Sequence, residues 1–229
     1  HIAESLWFQD ALGNVQAGIP ASGVLGNDSD VDDPATNLSV QAGTVSSTNG
    51  GTAVLSADGS FTYVSAPGYT GSDAFNYTVR DTAGATATGT VTMTVTGTYW
   101  FVDASAPPGG DGRQNSRFQS LTPLNGAGGS GDPDDPGDII LVHSGTYSSP
   151  IALEGTQQLI GQGIPAALTA TVNGQTVTLL ATGSAPTLGA ARGAERNMLT
   201  QGSAMRSKSC ERPMPTPSGT PTAMAMALP

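Results

Sequence analysis

Two stretches alternate apolar and polar residues too strictly for a helix. In YTGSDAFNYTVRD the odd positions Tyr69, Phe75, Tyr77 and Val79 are aromatic or aliphatic, while Thr70, Ser72, Asn76, Thr78 and Arg80 are polar. Val91, Met93 and Val95 alternate with Thr90, Thr92, Thr94 and Thr96 in the same way. A period of two places each apolar set on one face of a strand, and that face has to be buried. DTAGA between the stretches supplies a turn, so they are expected to pair as a hairpin. GTAVLSADGSFTYVS reads as a second hairpin around Asp58-Gly59, a pair suited to tight turns. A strand over LSVQAGTV (residues 38–45) and an early one near Asn14–Ala17 bring the number to six or seven, which two packed sheets accommodate.

Composition agrees. The chain of 229 residues has 31 Gly and 16 Pro but only 11% charged residues, a mixture that long helices do not use. The fold class expected is all-β. A net charge of −10 argues against binding to nucleic acid. No apolar run is long enough for membrane insertion. The single Cys210 excludes an internal disulfide framework. The start, HIAESLWFQD, has neither an initiator Met nor a signal peptide. The chain is therefore expected to be a fragment of a longer protein, and an absent signal says nothing about export.

Residues 23–34, GVLGNDSDVDDP, put four aspartates into six positions. Asp28, Asp30 and Asp32 have the alternate spacing that lets carboxylates converge on calcium, with Asp33 adjoining and Asp81 as a further ligand. The EF-hand glycine and glutamate are missing. Asn27, Asp28 and Ser29 equally suit side-chain-capped turns, and Asp81 equally suits the first position of a turn. Both readings stay open. A second acidic loop, GSGDPDDPGD, carries Asp132, Asp134, Asp135 and Asp138 and is expected to be solvated and mobile rather than metal-binding.

GVLGNDSDVD, LSADGSFTYVSAPGYTGSDAFNYTVRDTAG and the Thr/Val-rich strand after them resemble the bacterial cadherin-like or Ig-like repeat of large surface proteins and adhesins. The resemblance spans residues 14–97, and HIAESLWFQDAL departs from it. It implies an antiparallel β-sandwich serving as a stalk or adhesion unit, often stabilised by calcium where neighbouring repeats of the same chain meet. In that family the ion often draws carboxylates from the adjoining repeat, so an isolated copy would bind weakly.

From about Thr98 the pattern changes. Ile139–Val142, Ile151–Leu153 and Gln158–Ile160 read as three short strands separated by Gly, Ser or Pro, as on successive sides of one coil of a parallel β-helix. The VDAS, GDIILVHSGTY and LIGQG pieces resemble the entry to right-handed β-helix proteins of the pectate-lyase type. TATVNGQTVTLL adds a hairpin at Asn173-Gly174. Trp100 and Phe101 either form a sugar-stacking platform or, as expected, plug the helix end or pack the seam. His143 reads as structural or exposed, and Ser144 beside it points to the opposite face, so the pair is no triad. No catalytic residue and no cofactor other than calcium is assigned. The middle coils on which pectate-lyase-type enzymes carry their catalytic groups are not in this chain.

From Arg192 onward there are five basic and two acidic residues, against three and sixteen before it, and five of the six Met. This tail is expected to be disordered or frameshifted. Ala-Met-Ala-Met-Ala, read from the third base of its first codon, becomes alternating Asn, Asp, His or Tyr with Gly, the turn vocabulary of further coils.

The domain layout expected is therefore 1–97 sandwich, 98–191 cap and first coil of a partial parallel β-helix with a hairpin, and 192–229 tail. The function expected is that of a structural or adhesive module of a secreted or cell-surface bacterial protein, meeting a cell-surface or polysaccharide ligand. The alternatives are the accessory and N-terminal portion of a β-helix polysaccharide lyase or hydrolase, and a ligand-free spacer. The nucleotide sequence tests the tail: a β-helix pattern without stop codons is expected in the alternative frame, and stops there would end the idea.

Overall fold

The computed structural model describes residues 3–31, 37–126 and 133–188. The expected tail from Arg192, with Cys210, lies outside the described residues, as do Asp32, Asp33 and Asp132.

The molecule is all-β with mixed sheets. Strand β1 (Leu6–Gly13) is followed by β2 (Ala17–Ile19), β3 (Ser39–Val40), β4 (Gly43–Ser46), β5 (Thr52–Leu55), β6 (Phe61–Val64), β7 (Gly71–Arg80) and β8 (Thr86–Val102). One sheet runs β2-β6-β5-β4, and it faces another containing β3-β7-β8, with β1 parallel to β8. Their inner faces form one core from Ala17, Ile19, Leu55 and Phe61 on one side and Val40, Phe75, Val79, Val91 and Met93 on the other. This arrangement is consistent with a β-sandwich. Phe61 sits at the centre, edge-to-face with Phe8 at 5.4 Å and with Phe75 at 5.3 Å. Each such aromatic pair contributes about 0.5–1.5 kcal/mol beyond the area it buries.

Both expected hairpins are present, β5–β6 and β7–β8. Two strand expectations in the sandwich are corrected. Asn14–Ala17 is not a strand as a whole. Asn14 has a φ of 66° and the chain bends there between β1 and β2, only Ala17 belonging to a strand. Residues 38–45 divide into β3 and β4, which pair in different sheets, β3 with β7 and β4 with β5. The same polar, Gly-containing stretch that reads as one strand carries the crossing between layers.

Beyond the sandwich, β9 (Ile139–Val142), β10 (Thr146–Tyr147), β11 (Gln158–Gly161), β12 (Leu168–Val172), β13 (Gln175–Leu180) and β14 (Thr187–Leu188) complete the described chain. Strand β8 continues through Gly97, and its end, Tyr99–Val102, pairs in parallel with β9. β9 in turn pairs in parallel with β11, Ile139 opposite Gln158. So Ile139–Val142 and Gln158–Gly161 stack as successive rungs of one ladder, not as successive sides of one turn. Ile151–Leu153 is not a strand, although Ile151 is buried. A second parallel pair joins β10 to β14.

Alternation gives the ladder two apolar faces. Trp100, Val102, Ile140, Val142 and Leu159 pack inward with Phe118, Leu121, Leu124 and Tyr147. Phe101, Leu141 and the partly buried Ile160 face the other way, where Val15, Leu179 and Leu180 cover them. The cover comes from the β12–β13 hairpin, turned at Asn173-Gly174 with φ of 47° and 75° as a type I′ turn requires. Its Val172 reaches into the sandwich core. The hairpin thus fastens ladder to sandwich.

Leu180→Ala opens a cavity under that fastening and is expected to cost about 2–5 kcal/mol. Hydrogen exchange checks where the loss falls: amides of β9 and of β12–β13 should both lose protection.

Candidate functional site

The acidic turn begins behind a short 3-10 turn, Gly23–Leu25, whose Val24 and Leu25 are buried in the sandwich core. That anchor carries Asp28 inward rather than out to water. Asp28 is buried, and its Oδ1 accepts the Glu4 backbone N–H at 2.8 Å. The Tyr77 hydroxyl lies 2.8 Å and 3.0 Å from its two carboxylate oxygens. Tyr77 reaches it because its β8 partner is Gly89, where a Cβ would stand 2.4 Å from the Tyr77 ring. Burial pushes the Asp28 carboxyl above its ordinary range, with the Glu4 and Tyr77 hydrogen bonds opposing. Burial and the neighbouring Asp28 likewise push the Tyr77 phenol up. Asp28 therefore ties the start of the chain to the sandwich.

Of the other expected ligands, Asp30 is half-buried two residues on. Asp81 closes the β7–β8 turn, its Oδ1 accepting the Ala85 N–H at 2.7 Å. Among the described residues no group of three His, Cys, Asp or Glu side chains is gathered to hold a metal ion. Asp32 and Asp33 lie outside the described residues.

Over residues 133–138 the expectation of a solvated, mobile acidic loop is corrected. Asp134 and Asp138 are buried. The Trp100 indole N–H donates to Asp138 Oδ2 at 2.8 Å, and Gln157 Nε2 donates to Asp134 Oδ2 at 2.7 Å. A buried indole needs an acceptor, and this loop supplies it. Trp100 and Phe101 are fully buried, which removes them as a sugar-stacking platform.

Sequence reasoning missed Asp73. It occupies an inward position of β7, in phase with Phe75, Tyr77 and Val79, and that phase was the available signal. Its carboxylate accepts from the Ser47 hydroxyl, from Tyr63 OH at 2.7 Å, and from the N–H groups of Asn49 and Ala74 at 2.9 Å. Burial pushes its carboxyl up, but these donors outweigh burial and hold it below its ordinary range. The site is structural, a charge fixed between the two sheets.

A polar cleft of roughly 500 Å³ opens beyond the end of β8, lined by Asp103, Ser105, Gln114, Asn115 and Arg117 among others. Arg117 pairs with Asp103 at 3.0 Å. His143, at the end of β9, lies close enough to feel both charges. Burial and Arg117 push its imidazole below its ordinary value, Asp103 opposing. Ser144 is exposed, and its N–H donates to Gln162 Oε1.

Asp73 and Asp28 should respond differently to removal of charge. Asp73→Ala strands several donors and is expected to cost about 2–4 kcal/mol in a denaturant melt. Because its folded-state value is depressed, the stability Asp73 contributes is present above pH about 3.9 and is lost as pH falls further. Asp28→Asn keeps an acceptor oxygen while removing a charge that burial disfavours. It is expected to leave stability at neutral pH unchanged or raised, and a melt of the two variants side by side separates the roles.

No curated protein and no solved structure matches the chain. Residues 9–97, from within β1 to the glycine two residues before the first parallel rung, match the family model of the bacterial cadherin-like domain.

Proposed function

We propose that this chain is a structural and adhesive module of a secreted or cell-surface bacterial protein, in which a cadherin-like sandwich leads without a linker into the first rungs of a parallel β-helix. The observation that carries the reading is the continuity of β8, whose 17 residues serve the sandwich and then the ladder. A flexible linker would let the two parts swing. A shared strand, a shared hairpin and a filled seam transmit force and orientation instead. The parallel rungs β8–β9–β11 and the second parallel pair β10–β14 support the β-helix. β12–β13 would then be an insertion within its second turn. Among the described residues β11 ends the ladder, so a further rung could add there.

Calcium belongs to this proposal as a ligand of the acidic turn. Asp28 and Asp30 would be joined by Asp32, Asp33 and carboxylates of an adjoining repeat, with Asp81 as a further candidate. An extracellular setting agrees with the family matched by residues 9–97. No helix among the described residues is long and apolar enough to cross a membrane. The second reading, the N-terminal portion of a β-helix polysaccharide lyase or hydrolase, is favoured by the same ladder and by the Asp103–Arg117 cleft beside it.

The test uses the whole chain, because Val172 from the hairpin completes the sandwich core. Melts are compared in millimolar calcium, in chelator and in magnesium. At 100 times its dissociation constant calcium would add about 2.7 kcal/mol, a rise of roughly 5–10 °C. The rise should disappear in the Asp28→Asn, Asp30→Asn double variant. Identical melts would remove calcium from the proposal. Beads coated with the chain should also be retained on bacterial cell surfaces, and beads that wash off would favour a ligand-free spacer.

A further inference from the structure

The outward side chains of β7 and β8 differ from the rest of this acidic molecule. Along β7 and β8 the outward side chains are Ser72, Ala74, Asn76, Thr78, Arg80 and the alternate threonines from Thr86 to Thr96. None is acidic, and Arg80 at one end is the only charged one, in a chain of net charge −10. Trp7 stands on this face from β1, its register partner being Thr92. It is 68% exposed, the larger of the chain's two tryptophan exposures, since Trp100 is fully buried. Its indole N–H donates to the Thr94 hydroxyl at 3.1 Å. That bond satisfies the ring's polar edge and holds the ring on the hydroxyl row. Beside it the Thr90 hydroxyl donates to Asn76 Oδ1 at 2.9 Å, opposite it in the register.

We infer that this face binds a neutral polysaccharide, with Trp7 stacking on one sugar ring and Thr90, Thr92, Thr94, Ser72 and Asn76 meeting the hydroxyls of that ring and its neighbours. The chemistry of the face selects the occupant. An indole face carries partial negative charge and attracts the polarised C–H groups on the flat side of a pyranose. Hydroxyl and amide groups both donate and accept, as sugar hydroxyls do. The absence of charge among these outward side chains, Arg80 apart, matches a neutral chain, whereas the net negative charge of the whole molecule disfavours a uronate polymer. Same-face residues along a strand repeat about every 6.5–7 Å, so the row extends over several contacts instead of enclosing one. An extended polymer fits such a row better than a single small sugar. The inference deepens the adhesive reading and rests on it for the setting in which a polysaccharide is met.

The experiment is retention of the full chain on insoluble cellulose and chitin and on soluble mixed-linkage glucan, with polygalacturonate as the anionic control. At least one neutral polymer should retain the chain in high salt, and Trp7→Ala should weaken that retention at least tenfold with its melting temperature unchanged. Trp7→Phe should keep an intermediate affinity. Binding should alter the tryptophan emission of the parent but not of Trp7→Phe, whose remaining indole, Trp100, is buried. Thr92→Val with Thr94→Val should cost a further few-fold. Equal retention of Trp7→Ala and the parent would overturn the assignment of this face. So would retention by polygalacturonate alone, or a concentration-dependent dimer lost in Trp7→Ala, which would make the face a contact between copies. Retention by no polymer while coated beads still hold to cells would sink the face and leave the adhesive reading standing. Failure of both would remove the adhesive reading as well.

Discussion

The edge of β8 that turns away from β7 is used twice, and the rest of the molecule depends on that division. Over Val91–Thr98 it pairs with β1, and over Tyr99–Val102 with β9. Two strands can follow one another along the same edge only if the first leaves cleanly. β1 leaves at Gly13 and Asn14. A Cβ at Gly13 would lie 2.6 Å from the Gly97 carbonyl oxygen, so only glycine permits the approach. The Asn14 side chain then accepts the Gly68 N–H, and its own backbone N–H donates to Ser65. The corner is thereby hydrogen-bonded to the loop after β6, and its place on the sheet edge is free for β9.

Buried carboxylates recur at the points where separate segments meet, and three of them accept a hydrogen bond from an aromatic side chain. Asp28 meets Tyr77 where the start of the chain joins the sandwich. Asp73 meets Tyr63 between the two sheets, and Asp138 meets Trp100 at the floor of the ladder. Each pairing lets a large ring lie in the core while its polar atom is satisfied, which a purely apolar partner would not allow. The first two differ in electrostatics. Asp73 collects enough donors to hold its carboxyl below the ordinary range, while Asp28, with fewer, has its carboxyl raised by burial.

This construction separates a cross-tied interior from an outer sheet face. Asp28 in the acidic turn accepts a hydrogen bond from the start of the chain, and Asp138 accepts one from Trp100. The outward side chains of β7 and β8 are hydroxyl-rich and, Arg80 apart, uncharged, with the Trp7 indole of β1 fixed beside them. The adhesive role proposed above would draw on both, a rigid path for force and a surface whose chemistry suits its target.

The sequence alone determined the β class, the β5–β6, β7–β8 and β12–β13 hairpins and the inward set of Phe75, Tyr77, Val79, Val91, Met93 and Val95. Period-two alternation and the Asp-Gly, Asn-Gly turns are local properties, so no tertiary knowledge is needed to read them. The same alternation contained Asp73, but only the arrival of Ser47, Tyr63 and Asn49 from elsewhere in the chain explains a carboxylate on that face. The parting of residues 38–45 between two sheets, the stacking of Gln158 on Ile139, and the passage of β8 through Gly97 were decided by the tertiary structure. Each depends on which distant strand offers a hydrogen-bonding edge. Likewise the exposure of Trp7 and the burial of Trp100 do not follow from their immediate neighbours in the chain. Whether an indole meets water is set by what packs over it, and Asp138, which satisfies Trp100, comes from 38 residues away.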